Sequence, residues 1–131
     1  MQQLTLSLPI YWTDVKKRVP SKTYLVGMNW YNNSNYHLKN KVKRDYHELV
    51  NNLTLQFPKL DKFKVEYTLF YKNPISDGAN IIAVIEKFFL DGLVSANIIT
   101  NDNVAYHKGS TWSVGEQSKL DPRVEITLTG I

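Results

Sequence analysis

The stretch from Ser76 to Asn103 constrains this chain more than any other. A polar turn, Ser76-Asp-Gly-Ala-Asn80, opens a helix expected over Ala79–Val94, and a second turn, Thr100-Asn-Asp-Asn103, follows it. Ile81, Ile82, Val84, Ile85, Phe88, Phe89 and Leu93 make that helix apolar around most of its circumference, so it must be buried on several sides as the central core element. Glu86, Lys87 and Asp91 interrupt the run, which excludes a transmembrane span. Ser76 or Asp77 can accept the free amide hydrogens of its first turn. Asp77 and Asp102 flank the helix, and a chain folding back beside it would unite the two carboxylates in a candidate metal site.

The other elements follow from periodicity. Gln3–Leu8 alternates Leu4, Leu6 and Leu8 against polar neighbours, as does Lys64–Lys72 with Val65, Tyr67, Leu69 and Tyr71; both predict half-buried strands. Pro9 ends the first strand, and Thr23–Gly27 reads as a second short strand in a hairpin or arm. Asn29–Asn35, with four asparagines and a serine, reads as a loop. Val42, Tyr46, Leu49, Val50 and Leu53 recur at helical spacing, predicting an amphipathic helix over Lys39–Leu55 whose basic first turn opposes the macrodipole. Ala105–Glu116 and Arg123–Thr129 read as two further strands joined by the turn Gln117–Pro122, a terminal hairpin. Tyr106 and Trp112 lie in strand-like sequence and are expected in the core. The order predicts an α+β fold, a small mixed sheet with two main helices packed on it. One sheet layer leaves so apolar a helix short of cover, which a dimer interface would supply.

With 131 residues and no second boundary or repeat, the chain is expected to form a single domain over 1–131, with a basic arm or loop at about 11–40. It has no cysteine, so disulfides and thiolate metal ligands are excluded. No signal peptide is visible, because Gln2 and Gln3 stand in place of a basic start; a cytosolic protein is expected, with no membrane and no nucleotide cofactor. The net charge of +4 is unevenly spread. From Lys16 to Arg44 there are eight basic residues (Lys16, Lys17, Arg18, Lys22, Lys39, Lys41, Lys43, Arg44) and no acidic one. Such a block suits a polyanion, and the interleaved Tyr24, Trp30, Tyr31 and Tyr36 suit stacking on unpaired bases. A solvated face and ordinary core packing are the competing readings. His37, His47 and His107 show no metal-ligand spacing.

The run strand, Asp77-x-x-Asn80, apolar helix, Asp102-Asn-Val and a final Pro122-Arg-Val-Glu-Ile strand resembles the RusA family of phage-borne Holliday junction resolvases. Asn29-Trp-Tyr, His37, Asn40 and Lys43 are similar to the N-terminal pattern of its phage branch. The resemblance covers roughly Asn29 onward. It implies an intertwined homodimer that binds branched DNA and cuts four-way junctions with Mg²⁺, for which Mn²⁺ substitutes, in recombination and repair. It also implies that Asp77 and Asp102 hold the metal. Lys39, Lys41, Lys43 and Arg44, with the arm cations Lys16, Lys17 and Arg18 and the polar Asn29 and Asn80, would then hold DNA.

Three positions depart from the family pattern. Ala79 stands at its second aspartate, Ala83 at its helix lysine, and Asn101 at the first acid of its later pair. Glu86, near the Ala79 and Ala83 face and pointing back toward the helix start, is a candidate to widen the site or hold a second ion. Lys87, one turn after Ala83, is a candidate cation for the scissile phosphate. The alternatives left open are a non-catalytic junction-binding homologue, with these positions as traces of a lost site, and a small protein whose basic segment meets an acidic partner. Asp77 as a plain helix cap and Asp102 as a plain turn residue are the competing structural roles.

Overall fold

The computed structural model describes residues 2–131. Strand β1 (Gln3–Pro9) leads into a two-stranded arm, β2 (Tyr11–Asp14) and β3 (Lys22–Leu25). Helices α1 (Met28–Asn33) and α2 (Tyr36–Leu53) follow, then β4 (Phe63–Phe70), α3 (Gly78–Ser95), β5 (His107–Val114) and β6 (Arg123–Gly130). A four-stranded mixed sheet in the order β1-β6-β4-β5 carries the helices on one face. Its cross-strand rows, such as Leu6–Ile126–Tyr67–Trp112 and Leu8–Val124–Leu69–Val114, point one side chain per strand toward that helical layer. No helix among the described residues is long and apolar enough to cross a membrane.

The terminal hairpin does not form. β6 inserts between β1 and β4, antiparallel to both, while β5 pairs parallel to β4 at the sheet edge. The side chains give the reason. β6 alternates Val124, Ile126 and Leu128 into the core, whereas β5, His-Lys-Gly-Ser-Thr-Trp-Ser-Val, has too little apolar surface for an interior strand. A parallel neighbour needs a crossover of a dozen or more residues, and α3 supplies it. Trp112 is consequently not a core residue. It keeps 45% of its surface in solvent on the edge strand, its ring against Gly78, where an added Cβ would lie 3.0 Å from it.

α3 is buried along nine residues, from Ile81 to Leu93, between the sheet and α2. Its contact with α2 is close at Gly92, where a Cβ would fall 3.0–3.2 Å from the Cβ and both methyls of Val50. α2 starts at Tyr36, three residues before its expected start, because the Asn35 side chain accepts from the Leu38 amide at 2.9 Å. Lys41, Lys43 and Arg44 therefore sit beyond the first turn, and Lys39, its last residue, alone opposes the macrodipole there. The asparagine-rich segment, read from sequence as a loop, contains α1. Asn33 Nδ2 donates to the Asn29 carbonyl at 2.8 Å and the Ser34 hydroxyl to that of Trp30 at 2.6 Å, so polar side chains at its end bond carbonyls of the helix itself.

Candidate nucleic-acid interface and carboxylate clefts

Asp77 caps α3. Its Oδ1 accepts from the Asn80 amide at 3.3 Å and its Oδ2 from Asn80 Nδ2 at 3.0 Å, so both carboxylate oxygens are engaged with one residue. Asp77 and Asn80 line a cleft of about 580 Å³ together with Asn29, Tyr11 and Trp30. Three of the residues singled out in the sequence, Asn29, Asp77 and Asn80, are thus brought together by the β4–α3 turn and the start of α1.

Asp102 lies elsewhere. α3 is unbroken for 18 residues, a rise of about 27 Å, and Asp77 and Asp102 stand at its opposite ends. The fold-back that would unite them within one chain does not occur. Glu86 joins neither: nine residues along α3 place it roughly 13 Å of rise from Asp77. Its Oε2 is buried without a hydrogen-bond partner. The nearby Tyr67 hydroxyl is likewise buried and unpartnered, and burial, then the Glu86 charge, pushes the phenol well above its usual range. Lys87 is exposed on the outer side of α3. Among the described residues no three His, Cys, Asp or Glu side chains converge as a metal-binding group.

What Asp102 does join is the basic surface. It lines a cleft of about 320 Å³ with Lys43 and His47 of α2 and with Asp91 and Ser95 of α3. Lys43 Nζ lies 3.6 Å from the Asp91 carboxylate, bridging the two helices. Asn101 and Asn103 shape the turn by accepting from the amides of Asn103 and Ala105 at 3.1 and 3.0 Å. His47 and Asp91 were not singled out in the sequence. The signal for His47 was present, since His37, Lys41, Arg44 and His47 recur at helical spacing on one face of α2, where with Asn40 and Lys43 they line a depression of about 530 Å³.

The predicted cations are differently placed. Lys41 is paired with Asp14 of the arm at 2.7 Å, and that hydrogen bond, then the Lys41 charge, holds the Asp14 carboxyl below its usual range despite some desolvation. Lys39 Nζ sits 4.7 Å from the Tyr31 ring centre. Arg44 is exposed and makes no ion pair among the described residues, while Lys16, Lys17 and Arg18 stand exposed at the arm tip.

His47 carries a pH prediction. Desolvation, then the Lys43 charge, lowers its pKa from 6.5, against the opposing pull of Asp91. The unfolded chain therefore binds a proton more readily than the folded one, so stability is full above the unfolded pKa and declines as pH falls through it. Urea midpoints measured at about pH 7.5 and 5.5 should drop on acidification in the wild type, and by less in His47→Gln. Equal drops would remove His47 from the account. Compared with known proteins, the chain matches no family model and no curated protein.

Proposed function

We propose that two copies of this chain form a RusA-like, Mg²⁺-dependent endonuclease that resolves four-way DNA junctions. The observation that carries the reading is the meeting of the basic face of α2 with the Asp102 cleft through Lys43 and His47. Phosphates held along His37, Lys41 and Arg44 would pass directly beside a carboxylate. Charge of this kind binds duplex arms without regard to sequence, and the shape of a two-fold dimer supplies the preference for a branch.

The separation of Asp77 from Asp102 fits a site shared between subunits. The outer side of α3 carries the small Ala79 and Ala83, with Lys87 and Val94 further along, all exposed. Trp112 and the 57% exposed Val114 of β5 lie at the same side of the sheet. Antiparallel docking of two such faces sets the N-terminus of each α3 against the C-terminus of the other. Asp77 of one protomer and Asp102 of its partner would then hold Mg²⁺, whose chemistry when bound is Lewis-acid polarisation of the phosphate and activation of water. The chain's own cations position the strand, and Asn80, already bonded to Asp77, fixes that carboxylate's orientation.

A second reading is a junction-binding dimer without cleavage. The engagement of both Asp77 oxygens with Asn80 and the absence of acids at Ala79 and Asn101 favour it. An end-labelled four-way junction, incubated with Mg²⁺, Mn²⁺ or EDTA, separates the two. Paired, metal-dependent cuts are expected, and tight binding without cuts under either metal would leave only the second reading. Replacing Lys39, Lys41, Lys43 and Arg44 together by Ala should flatten the slope of log K against log salt by roughly 0.9 for each phosphate that is no longer neutralised. An unchanged slope would move the DNA off α2.

A further inference from the structure

The arm and α1 together carry a feature that junction cleavage does not use. Trp12 of β2 stacks on Tyr24 of β3 at 6.4 Å between ring centres, Tyr24 is 6.5 Å from Trp30 of α1, and Trp30 is 6.3 Å from Tyr31. Four rings from three elements thus form one continuous strip. All four are half-buried, each leaving part of its surface in water. Lysines attend the strip along its length: Lys41 Nζ is 5.7 Å from the Trp12 ring centre, Lys22 5.9 Å from Tyr24 and Lys39 4.7 Å from Tyr31.

The strip is held in place before any ligand arrives. Trp12 Nε1 donates to Asp45 Oδ2 at 2.6 Å, and Asp14 pairs with Lys41, so the arm is fastened to α2 at two points. At the other end Trp30 and Tyr31 both pack on the buried Phe88. Two carboxylates at the arm end of the strip, Asp14 and Asp45, are spent on these fastenings, Asp77 lines the cleft that Trp30 borders and is bonded to Asn80, and the arm tip is Lys16-Lys17-Arg18. Rings alone would suit any flat apolar ligand. Rings edged by cations, leading to a cationic tip, select a polyanion that also carries flat faces.

We infer that this strip is a track for an unpaired polynucleotide strand, its bases stacking on Trp12, Tyr24 and Tyr31 while Lys22 and Lys39, now over the Tyr24 and Tyr31 rings, turn to the phosphates and Lys41 stays with Asp14. Each stacked base draws on a π-face common to all bases, so the track is tolerant of sequence. Duplex DNA keeps its bases inside and cannot use it. The track holds whether or not junctions are cut, since none of its residues touches either carboxylate cleft apart from Trp30, which borders the Asp77 cleft on its way to the core.

The test is titration of the full chain with fluorescein-labelled dT15, rU15 and a 15-base-pair duplex, reading anisotropy and, with unlabelled strands, tryptophan fluorescence. Single strands should bind and quench tryptophan, and the tighter of dT15 and rU15 distinguishes a DNA source from an RNA one. Tyr24→Leu should weaken single-strand binding by roughly five- to 150-fold, Tyr24→Phe should restore it, and Leu55→Ala, a change to an exposed side chain outside the strip, should leave it unchanged. Duplex affinity should stay within about twofold in all three variants, which shows that the fold and the α2 surface persist. Wild type that binds neither single strand, binding without quenching, or equal affinities for Tyr24→Leu and Tyr24→Phe would each overturn the track. Failure of junction cleavage would count only against the nuclease.

Discussion

A 1:1 mixture of Asp77→Asn and Asp102→Asn chains, unfolded and refolded together, should recover about a quarter of the wild-type rate of junction nicking, although each variant alone is inactive. The expectation comes from the length of α3. Its 18 residues keep Asp77 and Asp102 at opposite ends of one chain, so a site using both must draw them from two copies. In a homodimer of either variant every site then lacks one carboxylate, and removing a group that stabilises charge at a phosphate costs on the order of 10²–10³ in rate. In the mixed dimer one site collects both substitutions and the other collects neither. Random pairing makes half the dimers mixed, each with one working site of two, hence the quarter. Resolution needs two cuts, so the recovered product should be nicked junctions rather than resolved duplexes. Recovery absent from the mixture, with wild type active under the same refolding, would mean that the shared site is wrong. A single variant retaining full activity would remove its carboxylate from the chemistry.

The sequence signalled elements better than it signalled their neighbours, and the reasons are physical. The apolar circumference of α3 and the alternation of β1, β4 and β6 are local properties, and so is the Asp77 cap, which forms between residues three apart. Strand order is not local. Nothing in Arg123–Gly130 states that it will lie between β1 and β4; its place follows from the fact that β5 cannot fill it. Trp112 was misplaced for the same reason, since alternation assigns a side chain to a sheet face but not to the centre or edge of the sheet. α1 was hidden because asparagine and serine favour loops on average, while here Asn33 and Ser34 bond carbonyls four residues back and Trp30 and Tyr31 find Phe88. Of the candidate site, the pairing of Asp77 with Asn80 was legible from their spacing, whereas the place of Asn29 in the same cleft was not. The partners of Asp102 were not, because Lys43, His47 and Asp91 reach it only through the close α2–α3 packing at Gly92 and Val50.

Phe88→Ala should be the most destabilising single truncation in the helical layer, at about 3–5 kcal/mol, a large share of the 5–15 kcal/mol typical of a domain. Phe88 is 1% exposed and is the α3 residue whose ring meets aromatics of both α1 and α2. Its ring stacks on Tyr46 of α2 at 5.3 Å between ring centres and lies steeply inclined to Trp30 and Tyr31 of α1 at 6.4 and 6.3 Å. Tyr46 in turn donates its hydroxyl to the Pro9 carbonyl at the end of β1, and burial keeps that phenol protonated by raising its pKa. Removing the Phe88 ring therefore leaves a cavity bordered by three aromatics, of which Tyr46 is held back from filling it by its hydrogen bond to Pro9. Urea denaturation should show a lower midpoint with an unchanged slope. The same substitution at Ile75, 88% exposed, should stay within about 0.5 kcal/mol. A double-mutant cycle of Phe88→Ala with Tyr46→Ala should return a coupling of about 0.5–1.5 kcal/mol, the range for an aromatic pair beyond its buried area. A loss under about 1 kcal/mol for Phe88→Ala would show that α1 and α2 hold to α3 without it. The aromatic strip would then have to be anchored by the arm alone.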